Sequence, residues 1–305
     1  MTASTHTEIY RRLKGQLEPH PPTARLLWRA RMHVAFKRKL PLLVLFVPPW
    51  ISGIVFSFVV YSKFTLEQGV ESPLTAGNGG PMAGAMVGAI AGQLIQVHDQ
   101  IVMFTHVSRV FALLAIAWFG AGLVCEDQRA GAHLLYFSRP VSRFAYFGGH
   151  FLTIASFGAI VTVGPVLLIG LVAVFSSPEY SFLLEKWDVL VGALGYATIN
   201  VLVLSMIALG ISALSSRKTY ALAGVFAFVL GSDAVSGMMR ATQGESDWGM
   251  LGVMSNLRRI AEWLMSANRQ MFDWNPWFSV AILGGLALAS GLLIARRLRR
   301  LEVVA

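Results

Sequence analysis

Two full charges lie inside otherwise apolar runs: Asp233 within residues 219–239 and Arg109 within residues 100–125. A charge in a membrane-length apolar segment is costly unless it is paired or faces water, so both are candidate pathway residues. Together they would serve as the coupling pair of an ion- or proton-coupled secondary carrier. Asp233 also has a plainer reading. It lies fourteen residues beyond Thr219, roughly 21 Å along a helix, with Gly231 and Ser232 just before it. At that depth it can equally mark the outer end of a helix, hydrated or paired with Arg240.

Other reactive side chains lack the spacing that their chemistry needs. His98 and His106 have no clear third ligand, so interfacial positions account for them better than a metal. Met238, Met239, Met250, Met254, Met265 and Met271 carry soft thioethers, but the helical spacing among them is that of packing. Serines and histidines share the chain without a Gly-x-Ser-x-Gly turn, which leaves an intramembrane hydrolase using His150 without a motif. No His-Glu-x-x-His or Cys-x-x-Cys occurs, and no Gly-x-x-x-x-Gly-Lys-Ser/Thr, so the chain is not its own ATPase of the P-loop class. No catalytic residue and no metal site is expected.

The elements that would position these residues belong to a membrane. Hydrophobic residues make up 55% of the 305, charged residues only 13%, and mean hydropathy is +0.61. A soluble domain carries about 25% charged residues, so this composition excludes a soluble enzyme. A disulfide scaffold is excluded as well, because Cys125 is the single cysteine. Six stretches reach the roughly 20 residues that a helix needs to cross hydrocarbon: 40–62, 100–125, 144–178, 189–216, 219–239 and 274–295. The stretch 72–98 is also free of Asp, Glu, Lys and Arg, but it is rich in Gly and Ala.

Charge bias arbitrates between six spans and seven. With six spans and the N-terminus inside, eighteen Lys and Arg fall in cytoplasmic segments and six outside. A seventh span would turn Arg296, Arg297, Arg299 and Arg300 outward. Residues 72–98 therefore read as an extracytoplasmic helix or hairpin, and Cys125 falls at the cytoplasmic end of the second span. No cleavable signal peptide is expected, since the first 39 residues are polar and basic. The expected location is a bacterial inner membrane, with both termini cytoplasmic. The net charge of +9 then marks cytoplasmic ends rather than nucleic-acid binding.

Residues 1–39 read as a cytoplasmic tail with an interfacial helix, 40–298 as a six-span bundle and 299–305 as a second tail, all one domain. After Pro21 and Pro22, Arg25, Arg29, His33 and Lys37 recur at i+4, while Leu27, Ala30 and Val34, beside Trp28, lie on another side. That pattern predicts an amphipathic helix on the inner leaflet, with Arg31 snorkelling from the apolar side and Phe36 on the basic side. Between the fifth and sixth spans, Met250, Met254, Leu257, Ile260, Ala261 and Leu264 repeat at three and four, which predicts an amphipathic helix at the outer interface.

The most distinctive segment follows the second span: Glu126, Asp127, Gln128, Arg129, Ala130, Gly131, Ala132, His133, Leu134, Leu135, Tyr136, Phe137, Ser138, Arg139, Pro140, Val141, Ser142, Arg143. Acids favour the start of a helix, Leu134, Leu135 and Phe137 give it an apolar side, and Pro140 ends it. A short helix at a membrane surface with exposed apolar residues suits a protein partner. The segment resembles the cytoplasmic coupling helix of ABC-2-type transporter permeases in its acidic start, Gly131, the Leu-Leu-Tyr core and the Ser-Arg-Pro-Val-Ser-Arg run, followed by Tyr146 and Gly149. Ala132 and His150 depart from the common pattern, which has Thr and Lys there.

The resemblance implies an all-α integral membrane fold: six transmembrane helices, an N-terminal interfacial helix, a cytoplasmic coupling helix, and extracytoplasmic re-entrant helices within 231–271. It also implies an export permease that is not itself an enzyme and holds no cofactor, with ATP and Mg bound by a separate ATPase subunit dimer. A second permease copy or paralogue and membrane lipid are the other partners implied. Glu126, Asp127, Gly131, Leu134, Leu135, Phe137, Arg139, Pro140 and Arg143 would carry the ATPase coupling.

Overall fold

A computed structural model describes residues 23–37, 39–67, 96–131, 142–266 and 271–302, with no strand among them. The helices are α1 (Thr23–Phe36), α2 (Lys39–Glu67), α3 (Val97–Gly120), α4 (Leu123–Arg129), α5 (Arg143–Ser176), α6 (Ser181–Glu185), α7 (Trp187–Leu214), α8 (Lys218–Gln243), α9 (Val253–Leu264) and α10 (Pro276–Glu302). Short 3-10 turns at Pro178–Tyr180 and Ser246–Leu251 lead into α6 and α9.

Six runs are long and apolar enough to cross a bilayer: Lys39–Thr65, Val97–Arg129, Phe144–Ser176, Trp187–Leu214, Lys218–Gln243 and Pro276–Arg297. They match the six expected spans, as in a multi-pass membrane protein. The reason is one of solvent: hydrocarbon offers no hydrogen bonds, so a crossing segment must satisfy its own backbone as a helix. Of the 72–98 stretch, the residues before Gln96 lie outside the described residues.

The two central spans are α5, which packs on α1, α2, α3 and α7, and α7, which packs on α3, α5, α8, α9 and α10. Small residues let these helices approach closely, as is usual where lipid supplies no hydrophobic drive for association. A Cβ on Gly53 of α2 would lie 2.8 Å from the Pro165 Cβ of α5, and one on Gly158 would lie 2.9 Å from Ile116 Cδ1 of α3. Three buried hydroxyls are satisfied within their own helix: Ser57, Thr153 and Thr162 each donate to the carbonyl four residues back. Large side chains fill the remaining space, among them Phe104, Phe157, Tyr196, Leu204 and Leu209, all fully buried.

The peripheral spans α2, α8 and α10 turn apolar side chains outward, including Ile54, Phe58, Phe228, Val235, Leu288 and Leu292. Around a membrane bundle such faces meet lipid tails and need no polar cover. The alternating spans gather two ends. One brings Asp127 to Tyr146; the other brings His98 to Met265 and Asp233 to the start of α9.

Candidate functional site

At the first end, α3 breaks at Ala121 and Gly122 and the helix restarts as α4. Gly122, at the N-cap, has no side chain with which to cap the new helix. Ser212 of α7 does so instead: its Oγ accepts from the Val124 and Cys125 amides at 3.2 and 3.3 Å and donates to the Ala121 carbonyl at 2.7 Å. The second and third amides of α4 are thereby satisfied, which is the usual work of an N-cap side chain. The sequence reading had the acids opening a short helix. Glu126 stands in the first turn of α4, which starts at Leu123, where Ser212 holds the amides ahead of it, and the continuation of that segment over 132–141 lies outside the described residues.

Asp127 is buried and joins three helices. Its Oδ1 takes the Arg31 guanidinium of α1, and its Oδ2 accepts from the Tyr146 hydroxyl of α5 at 3.2 Å. His150 Nε2 of α5 stands 3.2 Å from that same oxygen, and its ring lies edge-on to Tyr146 at 4.4 Å. Both carboxylate oxygens are engaged, so the group acts as a joint rather than as a base. Removing one partner of a buried pair strands the other, at about 3–5 kcal/mol. The joint flanks the segment 132–141 on both sides, through Asp127 before it and Tyr146 and His150 after it.

The rest of α1 lies along α5. Leu27 is close enough to Gly149 that a Cβ there would meet Leu27 Cβ at 2.9 Å. Trp28 Nε1 donates to Ser156 Oγ at 2.9 Å, and the Phe36 ring lies 6.1 Å from that of Phe157. Arg25, Arg29 and Lys37 are exposed. Arg31 therefore turns inward rather than snorkelling, and Phe36, expected among the basic residues, meets the bundle.

At the other end the same device recurs. The N-cap of α9 is Gly252, again without a side chain. Ser232 and Asp233 of α8 reach across to replace it. Ser232 Oγ accepts from the Val253 amide at 3.2 Å, and the Asp233 carboxylate accepts from the Met254 amide at 2.7 Å, the Ser255 amide at 2.9 Å and Ser255 Oγ at 2.8 Å. Gly252 is required here, because a Cβ would collide with Asp233 Oδ1. A carboxylate at a helix N-terminus is also favoured by the helix dipole.

Arg109 arrives from α3 and donates through Nη1 to the Met254 carbonyl at 2.7 Å. The two intraspan charges thus meet on one residue, Met254, one at its N–H and the other at its C=O. The expected amphipathic helix is present as Val253–Leu264, with Leu257, Ile260 and Ala261 buried, but part of its polar side is buried as well. Arg259 Nε donates to the Trp274 carbonyl at 2.8 Å, and Glu262 takes Arg258 Nε at 2.9 Å and the Met271 amide at 3.2 Å. The bonds to Trp274 and Met271 tie α9 to the segment leading into α10.

The remaining coupling candidates divide by position. Glu126 is exposed on α4, and Gly131 adopts φ +65° just after it, a conformation glycine takes without steric cost. Arg143 is the first residue of α5. Leu134, Leu135, Phe137, Arg139 and Pro140 lie outside the described residues. His98 Nε2 pairs with the Met265 carbonyl at 2.6 Å, and among the described residues no three His, Cys, Asp or Glu side chains converge as a metal site would require. Ser212 and Ser232 escaped the sequence reading because a serine in a span carries no signal of a distant helix start. No protein-family model matches the chain, and no curated protein matches it.

Proposed function

We propose that this chain is the membrane-spanning permease subunit of an ABC-2-type transporter, an exporter driven by ATP hydrolysis in a separate subunit. The observation that carries the reading is the mounting of the 126–143 segment. Its resemblance to a coupling helix lies in residues 126–143, and both of its flanks are tied through the buried Asp127 to α1 and α5. A push on this segment by a partner would pass to two helices at once rather than dissipate in a loose loop. Such an element suits a rigid-body transition, in which small shifts at one site move packed helices.

In this reading the Asp127 end is cytoplasmic, α1 lies at the inner interface and docks on α5, and α9 is one of the outer re-entrant elements. ATP and Mg belong to the partner dimer, and a second permease copy or paralogue completes the pathway. The carrier alternative loses support from Asp233 and Arg109, since both charges are engaged in holding the start of α9.

Leu134 and Phe137 are three residues apart, a spacing that places them on one side of a helix. Apolar anchors of this kind are each worth about 2 kcal/mol or more in a packed interface. The variant Leu134→Asp with Phe137→Asp should insert in the membrane but fail to retain an ATPase subunit on affinity purification. A double variant that keeps the ATPase and transports at the normal rate would end the permease assignment.

A further inference from the structure

Beside the Asp127 joint, α1, α3, α4 and α8 enclose a pocket of about 100 Å³ lined by Arg31, Trp118, Glu126 and Lys218, among others. Trp118 is also a wall of an adjoining pocket of about 250 Å³, otherwise lined by Leu40, Pro41, Val44 and Leu45. The two meet at Trp118, one with a charged lining and the other apolar, and together offer a groove with a charged head and an apolar tail only if that ring lets them join. Leu40 and Val44 are largely exposed, at 77% and 61%, so the tail opens away from the bundle where lipid lies.

The charges choose the occupant. Arg31 is turned to Asp127, which leaves the Glu126 carboxylate and the Lys218 ammonium as the groove's uncommitted pair. Neither has an ion pair among the described residues, although Lys218 Nζ sits 5.2 Å above the Trp118 ring. One cation and one carboxylate match a zwitterion. An anionic headgroup would meet Glu126 without compensation, and a quaternary ammonium would offer it no N–H. We infer that this groove binds a phospholipid with a primary-ammonium headgroup, phosphatidylethanolamine in chemical class, its phosphate on Lys218, its ammonium on Glu126 and an acyl chain along Leu40, Val44 and Trp118. Tryptophan is suited to this level of a bilayer, with an apolar body and a polar edge.

The site stands whether or not the chain couples to an ATPase, and its test reads lipid alone. The full chain is reconstituted with equimolar phosphatidylethanolamine, phosphatidylcholine and phosphatidylglycerol, extracted in mild detergent and weighed by native mass spectrometry. The wild type should retain phosphatidylethanolamine preferentially. Loss of a charge-assisted hydrogen bond should lower that retention roughly tenfold in Glu126→Gln, which should then hold phosphatidylethanolamine and phosphatidylcholine alike. Lys218→Gln should lose both lipids, and Lys218→Arg should keep the wild-type pattern. Melting temperatures in lipid-free detergent confirm that the variants are folded. Preferential retention of phosphatidylglycerol, or an unchanged pattern in both charge-removing variants, overturns the assignment. So does a change in oligomer mass in these variants with lipid retention unaltered, which would make the groove a seam between copies.

Discussion

Replacing Asp233 by Ala should loosen the start of α9 and nothing else. The side chain accepts from two amides and one hydroxyl at 2.7 to 2.9 Å, and Gly252 has no side chain to replace it. Loss of an N-cap costs about 0.5–2 kcal/mol, and hydrogen bonds to a charged group stand at the high end, so about 2 kcal/mol is expected here. At roughly 1.4 kcal/mol per factor of ten, local opening becomes about thirtyfold more frequent. Amide hydrogen exchange in detergent or nanodiscs reads that quantity directly, since protection tracks the free energy of local opening. Protection of Met254 and Ser255 should fall by that factor, while amides in the middle of α7, around Leu204 and Leu209, stay as in the wild type. Asp233→Asn, which keeps one carbonyl acceptor, should lose less. Protection at Met254 and Ser255 within threefold of wild type in Asp233→Ala would refute the capping role and return Asp233 to the candidate pathway residues.

Other outcomes follow from the same contacts. Arg31→Met and Asp127→Asn should each lower stability by roughly 3 kcal/mol, with the double variant costing clearly less than their sum; additive losses in denaturant titrations would mean the pair is not coupled. Gly192→Ala drives a Cβ into the Leu264 carbonyl oxygen and should cost roughly 2 kcal/mol by thermal melting, whereas Gly284→Ala, with nothing within 4 Å, should be neutral or stabilising. Cys125 is 1% exposed and its thiol donates to the Ala121 carbonyl at 3.2 Å, so a maleimide should reach it only after unfolding. Membrane sidedness is better read in a Cys125→Ser background: an impermeant maleimide should miss Ser216→Cys in intact cells and label Glu179→Cys. The reverse pattern would invert the proposed orientation.

The six spans were legible in the sequence because crossing a bilayer is a one-dimensional demand: length, apolarity and internal hydrogen bonding are properties of a single segment. The helix between the fifth and sixth spans was legible too, from its apolar period, as were Asp233 and Arg109 as charges out of place. What those charges do was not. Asp233 caps a helix that begins twenty residues later and Arg109 reaches a carbonyl 145 residues away, and no local pattern encodes a partner at that distance.

The faces of α1 teach the same lesson. Periodicity placed Arg31 on the apolar side and Phe36 on the basic side, yet Arg31 is held by Asp127, 96 residues on, and Phe36 meets Phe157. A docked helix buries whichever side finds complementary groups, and those groups sit on other spans. The restart at Leu123 is another such case, decided by Ser212 of α7. The sequence determined which segments enter the membrane, because each must satisfy hydrocarbon alone. The tertiary structure decided where helices begin between them and which charges are neutralised, because those groups are satisfied only by side chains that folding brings from another span.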